Sequence, residues 1–216
     1  MTSDPIRDPK SDHLLTPENA AMVIIDYQPV QVNSVASMDR QVLVNNIVGV
    51  AKLARAYRLP VIHSTVNVLS GRNKPAIPQL RAVVDDLPTY DRTTINAWED
   101  REFREAVQAT GRKKIIVAAL WTEACMTFPT LDMLAEGYEV YPVADAVGGN
   151  SPTAHAAALR RVEQAGAQLV SFPMLLCEMQ RDWSRDETVG PFMQIFIEAG
   201  GTAGLQFAYD LAEAKA

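Results

Sequence analysis

The sequence predicts an α/β fold in which a parallel β-sheet carries helices on both faces. Short apolar runs, typical of strands buried on both sides, alternate with longer stretches in which apolar residues recur every three to four positions. The 216 residues are 48% hydrophobic and 21% charged, which supplies enough apolar side chain for one core. We therefore expect one domain over residues 1–216, with an N-terminal extension at 1–15 and a C-terminal tail at 200–216.

The first half of the chain contains three predicted strands. Apolar residues fill 20–26 and 59–66, and 89–92 is a weaker strand candidate. Residues 38–57 place apolar side chains at helical spacing, which predicts a helix between the first two strands. The glycine and prolines of 69–80 predict an irregular loop.

A further helix is predicted at 96–111. Asn96 is a suitable N-cap, and Glu99 follows three residues later, where it completes a capping box. Gly111 is typical of the residue just past a helix end. These signals predict one continuous helix.

The alternation continues through the second half of the chain. Each apolar run is followed by a stretch with helical spacing, which is typical of a parallel sheet. The predicted elements are strands at 113–120, 138–145 and 167–172, and helices at 127–136, 151–165 and 189–199.

The charge distribution argues against nucleic acid as a partner. The formal net charge is −6 and the pI is near 5.1, and the basic residues form no stripe or cluster. No apolar run approaches the length of a membrane span, and residues 1–15 carry charge and proline where a signal peptide is apolar. We therefore expect a cytoplasmic protein that binds neither nucleic acid nor membranes.

Polar residues stand where three predicted strands end. Asp26 ends the first strand, Arg92 ends the third, and Cys125 follows the fourth. Ligands of open parallel sheets bind at this edge, so these side chains are site candidates. The turn at 26–34 contains no glycine, which excludes a dinucleotide-binding turn and leaves the thiol as the most reactive group.

Cys125 has two interpretations on local sequence alone. If Thr122 caps the next helix, Cys125 is the third helical residue, where free N–H groups and the helix dipole stabilise a thiolate. Its pKa would then lie below the ordinary value of about 8.5. Alternatively, Cys125 is a small buried hydrophobe at a strand–helix junction.

Four stretches of the chain resemble a known family. They are MVIIDYQ around Asp26, DRTTINAWED from Asp91, VAALWTEACMTFPTLDMLAEGYEVYPVADA from Val117, and AGAQLVSFPMLLCEMQRDW from Ala165. The chain resembles the isochorismatase-like cysteine hydrolase superfamily, and the last stretch is similar to its YcaC-like branch. The resemblance implies a doubly wound parallel sheet in a Rossmann-like three-layer sandwich.

The resemblance implies a catalytic triad of Asp26, Arg92 and Cys125. The basic member of this triad is usually lysine. The Asn96-Ala97-Trp98 motif sets the register and places Arg92 at the lysine position, where YcaC-like proteins similarly tend to have arginine. Arginine stays protonated, so Arg92 would stabilise anions and would not relay a proton.

The resemblance also implies a backbone oxyanion hole. A cis peptide between Leu120 and Trp121 would bring the N–H groups of Trp121 and Cys125 together. In the implied reaction Asp26 removes the thiol proton, the sulfur attacks a carbonyl or nitrile carbon, and water releases the acyl group.

The implied activity is a cofactor-independent hydrolase of a small amide, nitrile or related acyl compound. Residues 64–73 lack the aspartate and histidines of metal-dependent relatives, and the three histidines are far apart in sequence, so no metal is expected. The implied partners are the small-molecule substrate and the chain itself, as a homo-oligomer of which an octamer of stacked rings is one form.

Two alternatives remain open. The first is a non-catalytic oligomeric protein that keeps the fold and binds a small ligand or partner. The second is a metal-dependent amidase, which would need bound zinc or iron.

Three other features have structural interpretations. A lone strand histidine such as His63 is expected to be a hydrogen-bonded core residue. Cys177 is expected to be a buried thiol. The charged residues Glu178, Arg181 and Asp182 are expected at subunit contacts.

Overall fold

The centre of the molecule is a five-stranded sheet with the strand order β3-β2-β1-β4-β5. A computed structural model describes residues 6–213. All neighbouring strands are parallel, which confirms the predicted sheet. The strands are β1 (Ala20–Ile25), β2 (Val61–Val66), β3 (Thr89–Arg92), β4 (Lys114–Ala119) and β5 (Glu139–Pro142).

Helices cover both faces of the sheet, as predicted. They are α1 (Pro29–Asn33), α2 (Arg40–Ala56), α3 (Pro78–Val84), α4 (Arg101–Ala109), α5 (Thr127–Ala135), α6 (Pro152–Gln164), α7 (Phe172–Gln180), α8 (Asp186–Ala199) and α9 (Gly201–Glu213). Alternate residues of β1 point to opposite faces, so Met22 packs toward α2, α3, α7 and α8, and Val23 packs toward α4, α5 and α6. Among residues 6–213, no helix is long and apolar enough to cross a membrane.

The strand order creates a switch point between β1 and β4. The chain adds β2 and β3 on one side of β1, then returns to add β4 and β5 on the other. The loops that follow β1 and β4 therefore diverge, and a crevice opens between their carboxyl ends. Asp26 directly follows β1, and Cys125 lies six residues past the end of β4.

The helix predicted at 96–111 is two elements. Asn96 caps a 3-10 turn, Ala97–Glu99, by accepting a hydrogen bond from the Trp98 N–H at 3.0 Å. Asp100 then adopts an extended backbone and becomes the N-cap of α4. The single-helix prediction is wrong because a second good capping residue restarts the helix four positions later. Gly111, with φ of 67°, lies just past the end of α4 as expected.

The strand predicted at 167–172 does not form in the described part of the chain. One isolated bridge joins Val143 to Val170, and β5 itself is shorter than predicted. The physical reason is that Ser171 caps α7, accepting a hydrogen bond from the Met174 N–H. The helix begins immediately after the bridge, so the chain leaves the sheet before a ladder can form.

The C-terminal tail predicted at 200–216 is largely helical. Gly201, with φ of 62°, reverses the chain after α8 and starts α9. The Phe207 ring packs edge-on against Phe196, with centroids 5.5 Å apart. No helix was predicted from the sequence for this tail, and 214–216 lie outside the described residues.

The N-terminal extension is tied to the end of α7. The Leu15 N–H donates to Glu178 Oε1 at 2.6 Å, and Arg181 Nη2 donates to the Leu15 carbonyl at 2.9 Å. Arg181 also forms an ion pair with the buried carboxylate of Asp12. Glu178 and Arg181 thus hold the chain's own N-terminal segment, whereas the sequence predicted subunit contacts for them. Residues 1–5 lie outside the described chain.

Close packing at Gly49 supports a stability prediction. A Cβ there would lie 2.7 Å from Phe172 Cζ and 3.0 Å from Ala199 Cβ, so Gly49→Ala should destabilise the protein by about 1–3 kcal/mol. Urea unfolding of the variant and of the parent protein measures this change. A Gly49→Ala protein as stable as the parent would contradict this packing.

Candidate active site

Asp26 and Arg92 form a buried ion pair at the switch point. Arg92 Nη1 donates to Asp26 Oδ1 at 2.8 Å, and Nη2 donates to Oδ2 at 2.7 Å. Both side chains are 0% exposed. Asp26 adopts φ of 63°, a conformation that aspartate tolerates better than most residues. Such a two-point contact fixes the plane of the carboxylate as well as its position.

The rest of the Arg92 guanidinium is also held. Nη1 donates to Ser64 Oγ and to the Thr65 carbonyl, both at 3.1 Å, and Nη2 donates to the Ile95 carbonyl at 3.1 Å. Nε is buried and has no partner among residues 6–213. Arg92 is therefore a fixed support for Asp26, anchored to the ends of β2 and β3.

Cys125 lies in a separate turn that precedes α5. Residues Thr122–Met126 form one π-helical turn, in which the Met126 N–H donates to the Trp121 carbonyl at 3.2 Å. Pro129 consequently falls in the first turn of α5, where no backbone donor is required. Cys125 is 7% exposed and packs with the helices on its face of the sheet.

Thr122 does not cap this turn, which corrects the sequence prediction. Its hydroxyl lies 2.8 Å from His155 Nδ1, and Trp121 occupies the N-cap position. Cys125 is therefore the fourth residue of a π-helical turn and not the third of an α-helix. Because the Thr122 hydroxyl contacts His155 on α6, it does not cap the turn that it begins.

The peptide between Leu120 and Trp121 is cis, as the resemblance implied. The indole Nε1 of Trp121 donates to the Gln31 carbonyl at 3.1 Å and to Ser34 Oγ at 2.9 Å. These contacts fix the Trp121 side chain against the loop that follows β1. Trp121 and Cys125 thus belong to one short segment that faces Asp26 across the crevice.

Comparison with known proteins assigns the family. The family model described as Isochorismatase domain matches residues 20–173. The chain belongs to the isochorismatase family. The matched range contains Asp26, Arg92, Trp121 and Cys125.

Several isochorismatase-family relatives are similar along most of the chain. A protein of Escherichia coli described as probable hydrolase YcaC is 36% identical over 173 residues, 80% of this chain and 83% of that protein. The structure of YcaC from Pseudomonas aeruginosa with hexane-2,5-diol and covalent acrylamide matches with a TM-score of 0.86 and 33% identity, over 93% of this chain and 98% of that one. The YcaC gene product from Escherichia coli, described as an octameric hydrolase of unknown specificity, matches with a TM-score of 0.85 and 33% identity, over 94% and 99% of the two chains. These findings confirm the predicted YcaC-like resemblance.

The electrostatics of this isochorismatase-family site differ from the sequence prediction. Burial and the neighbouring Asp26 carboxylate raise the pKa of the Cys125 thiol to about 12, and the Arg92 guanidinium offsets only part of this. The predicted low pKa is wrong chiefly because the thiol is buried, and the charge of Asp26 adds to the effect of burial. At neutral pH the group is a thiol.

Burial also raises the pKa of Asp26, and the hydrogen bonds and charge of Arg92 oppose that shift. A carboxylate whose proton affinity is increased in this way is a better acceptor for the thiol proton. The arrangement can therefore generate a sulfur nucleophile during the attack itself, with no thiolate present beforehand.

The raised thiol pKa predicts the pH dependence of alkylation. In a Cys177→Ala background, which removes an exposed thiol, the rate at which iodoacetate modifies Cys125 should keep rising between about pH 8 and 10, because the thiolate route, which does not need Asp26, gains about tenfold per pH unit. Mass spectrometry of quenched samples measures the rate, and glutathione serves as the reference thiol in the same solution. A rate that levels off near pH 8.5, as for an ordinary cysteine, would show that the pKa is not raised.

Several residues that position this site were not predicted from the sequence. Ser64 supports Arg92, and His155 holds Thr122. Glu123 Oε1 accepts hydrogen bonds from the N–H and the side-chain amide of Asn150, at 2.9 and 2.7 Å. No local pattern identifies these residues, since each partner lies far away in the sequence. Cys177, predicted to be buried, is exposed, whereas His63 is buried as expected.

The residues present offer no evident place for a metal. Among residues 6–213, no group of three or more His, Cys, Asp or Glu side chains is arranged to hold an ion.

Proposed function

We propose that the protein is a cofactor-independent cysteine hydrolase that acts on a small amide, nitrile or related acyl compound through a covalent thioester-type intermediate. The observation that carries the proposal is the grouping of Asp26, Arg92 and Cys125 in one buried crevice at the switch point. The thiol and the Asp26 carboxylate are close enough to shift each other's pKa. Membership of a family with hydrolase relatives supports the same conclusion.

In the proposed reaction with an amide, Asp26 accepts the Cys125 proton as the sulfur attacks the carbonyl carbon. The N–H groups of Trp121 and Cys125 hydrogen-bond to the oxyanion that develops. When the C–N bond breaks, protonated Asp26 returns the proton to the departing amine, which leaves a thioester. Water, deprotonated by Asp26, then attacks the thioester and releases the acid and the thiol. Arg92 keeps its proton throughout and holds the carboxylate in place.

The burial of Cys125 and the ligand of a similar structure both favour a small amide as the substrate. Cys125 is only 7% exposed, which leaves little room around the sulfur and favours a small substrate. The similar YcaC structure from Pseudomonas aeruginosa contains covalent acrylamide, a small amide that is also an electrophile. We therefore expect this chain to accept small primary amides at Cys125.

A second candidate function is non-catalytic binding of a small ligand. The observation that favours it is that Arg92 replaces the lysine of the usual triad and holds Asp26 with both terminal nitrogens. Strong pairing of this kind reduces the tendency of the carboxylate to take up a proton.

Covalent capture and turnover separate the two functions. Acrylamide should form an adduct that peptide mass spectrometry locates at Cys125, and a panel of small primary amides should release ammonia. Cys125→Ala should lose both, and Cys177→Ala, which changes an exposed cysteine, should keep both. Adduct formation without ammonia release from any amide would favour the binding function. If neither adduct formation nor ammonia release is observed, Cys125 has no chemical role and both functions are contradicted.

We also propose a homo-oligomer, because the similar YcaC from Escherichia coli is described as octameric. Light scattering at micromolar concentration should give a mass several times that of the 23.7 kDa chain. A monomer would contradict this part of the proposal. The predicted cytoplasmic location and the absence of a cofactor remain predictions.

A further inference from the structure

The loop at 148–150 contacts the chain on both sides of Trp121. Leu120 forms an isolated bridge with Gly148, and the Thr122 N–H donates to the Gly148 carbonyl at 2.9 Å. Both contacts use backbone atoms. The loop thus holds the chain immediately before and after the residue whose N–H is proposed as an oxyanion donor.

The side chain of Glu123 adds a third contact between the loop and the π-helical turn. Its Oε1 accepts hydrogen bonds from the N–H and the side-chain amide of Asn150, at 2.9 and 2.7 Å. Its Oε2 is buried, has no hydrogen-bond partner among residues 6–213, and lies against Gly149, where an added Cβ would be only 2.4 Å from it. Hydrogen bonds to a carboxylate are stronger than those between neutral groups. The Glu123 carboxylate therefore fastens the turn to the loop.

The loop is in turn fixed to the segment at 34–37, which follows α1. The Gly149 carbonyl accepts from two backbone N–H groups of this segment, at 3.0 and 3.2 Å, and the Gly149 N–H donates to the Ser37 hydroxyl at 2.9 Å. The indole N–H of Trp121 donates to the Ser34 hydroxyl of the same segment, at 2.9 Å. These contacts close a ring that runs from the turn, through the loop and this segment, back to Trp121.

The backbone N–H of Trp121 lies close to the reactive sulfur. Burial is the largest influence on the pKa of the Cys125 thiol and raises it, and the nearby Trp121 N–H acts in the opposite direction. An N–H in this position is within reach of the oxygen of a carbonyl group that the sulfur attacks. A displacement of about 1 Å from the productive geometry can cost about a hundredfold in rate.

We propose that Glu123 is a positioning residue for the oxyanion hole. By holding the 148–150 loop against the turn, its side chain keeps the Trp121 N–H where the developing oxyanion needs it. The inference rests on the proposed hydrolase function, none of whose steps uses Glu123. The contact requires an acceptor oxygen at this distance from the backbone, so glutamine can replace glutamate, whereas the shorter aspartate cannot.

The kinetics of amide turnover test this role. Glu123→Ala should lower kcat for a small primary amide roughly tenfold to a hundredfold and change KM by less than about threefold, because the displaced N–H stabilises the transition state more than the bound substrate. Glu123→Asp should behave like Glu123→Ala, and Glu123→Gln should stay close to the parent. Glu163→Ala, which removes an exposed carboxylate from α6, should change neither constant. Equal kcat values for the parent and Glu123→Ala would overturn the proposal.

A reversible aldehyde tests the oxyanion hole without turnover. Propanal should form a hemithioacetal with Cys125, in which the sulfur bonds to the carbonyl carbon and the thiol proton passes to the carbonyl oxygen. In a Cys177→Ala background, protection of Cys125 against iodoacetate gives the dissociation constant of propanal. This constant should rise roughly five- to tenfold in Glu123→Ala, as expected for the loss of one hydrogen bond to that oxygen. Alkylation without propanal should keep the parent rate, because displacement of iodide forms no oxyanion.

The two measurements distinguish failure of this inference from failure of the proposed hydrolysis. A parent that binds propanal but releases no ammonia would contradict the hydrolase, and weaker propanal binding by Glu123→Ala would still support the positioning role. Propanal binding that is equally tight in the parent and in folded Glu123→Ala would refute that role, as would a parent that binds no propanal. If alkylation slows as much as turnover, the substitution displaces Cys125 itself and the proposal is wrong.

Gly149→Ala tests the same contact from the loop. The added Cβ should displace the Glu123 carboxylate and weaken propanal binding as Glu123→Ala does. Gly149→Ala should cause little further loss when Glu123 is already alanine, because the group that the Cβ displaces is gone. Gly149→Ala and Glu123→Asp supply the test if Glu123→Ala does not fold. Parent-like propanal binding in Gly149→Ala, or fully additive losses in the double variant, would contradict the proposal.

Discussion

Asp26→Asn is expected to reduce amide turnover and acrylamide capture at Cys125 by about a thousandfold, because general-base assistance typically contributes a hundredfold to ten-thousandfold. The amide is almost the same size as the carboxylate but cannot accept the thiol proton. Burial, the largest cause of the raised thiol pKa, remains in the variant, so little thiolate is available to replace the missing acceptor. The substitution should also lower stability by about 3–5 kcal/mol, because the buried charge of Arg92 loses its counterion.

Asp86→Asn is the matched control for this variant. Asp86 also pairs with an arginine, Arg55, but both side chains are partly exposed, at 61% and 42%. A surface pair contributes little, so this change should affect neither reaction nor stability by a measurable amount. Stopped-time mass spectrometry at pH 7.5 gives the capture rate, and circular dichroism confirms that each variant is folded. If folded Asp26→Asn captures acrylamide at the parent rate, Asp26 is not the base.

Arg92→Met is expected to have the second largest effect, a loss of about 3–5 kcal/mol of stability at neutral pH. Methionine replaces the stem of arginine but not its guanidinium, so the change leaves the Asp26 carboxylate buried without a counter-charge. Burial already raises the pKa of Asp26, and removal of Arg92 takes away the group that opposes this shift. The carboxyl group should therefore be protonated in the folded variant at mildly acidic pH.

The stability of Arg92→Met should consequently depend on pH in a defined direction. The unfolded chain releases the Asp26 proton near its ordinary pKa of about 3.9, and the folded variant releases it at a higher pH. Between these two values the folded state binds more protons, so its stability falls as pH rises. Urea unfolding should show that Arg92→Met loses less free energy of unfolding, relative to the parent, at pH 5 than at pH 8. A loss that is the same or larger at pH 5 would contradict the burial of an unpaired Asp26 carboxylate in the variant.

Arg92→Lys is the informative companion to Arg92→Met. Lysine keeps the charge but loses the two-point contact and some hydrogen bonds to the Thr65 and Ile95 carbonyls. We expect Arg92→Lys to lose less stability than Arg92→Met. We also expect its rate of acrylamide capture to lie between the rates of Arg92→Met and the parent. Turnover that rises with lysine would indicate that arginine at this position limits catalysis.

Much of the fold could be predicted from the sequence because it depends on local pattern. Strands buried on both faces are mostly apolar, so β1 and the part of β4 that follows Lys114 are visible as uninterrupted runs. Asp26 interrupts the first run and Cys125 follows the second, so both could be proposed as site residues from position alone. The parallel sheet then requires that strand ends share one edge.

Elements whose extent depends on competition between neighbours were predicted less well. The strand at 167–172 is apolar enough to pair, but Ser171 starts a helix before more than one bridge forms. The helix at 96–111 has valid start and stop signals, and an additional cap at Asp100 divides it. Local pattern identifies candidate caps but does not determine which of several is used, because that choice depends on burial of the side chains between them.

The sequence by itself determined the family, the parallel α/β sheet, and the three side chains that meet at its switch point. Only the tertiary structure decided their electrostatic state. The pKa of Cys125 depends on how deeply it is buried, on its distance from Asp26, and on whether Arg92 is already paired. These quantities are set by contacts between residues that are 33 to 99 positions apart, and the energy between charges varies with distance and local dielectric, neither of which a linear pattern contains.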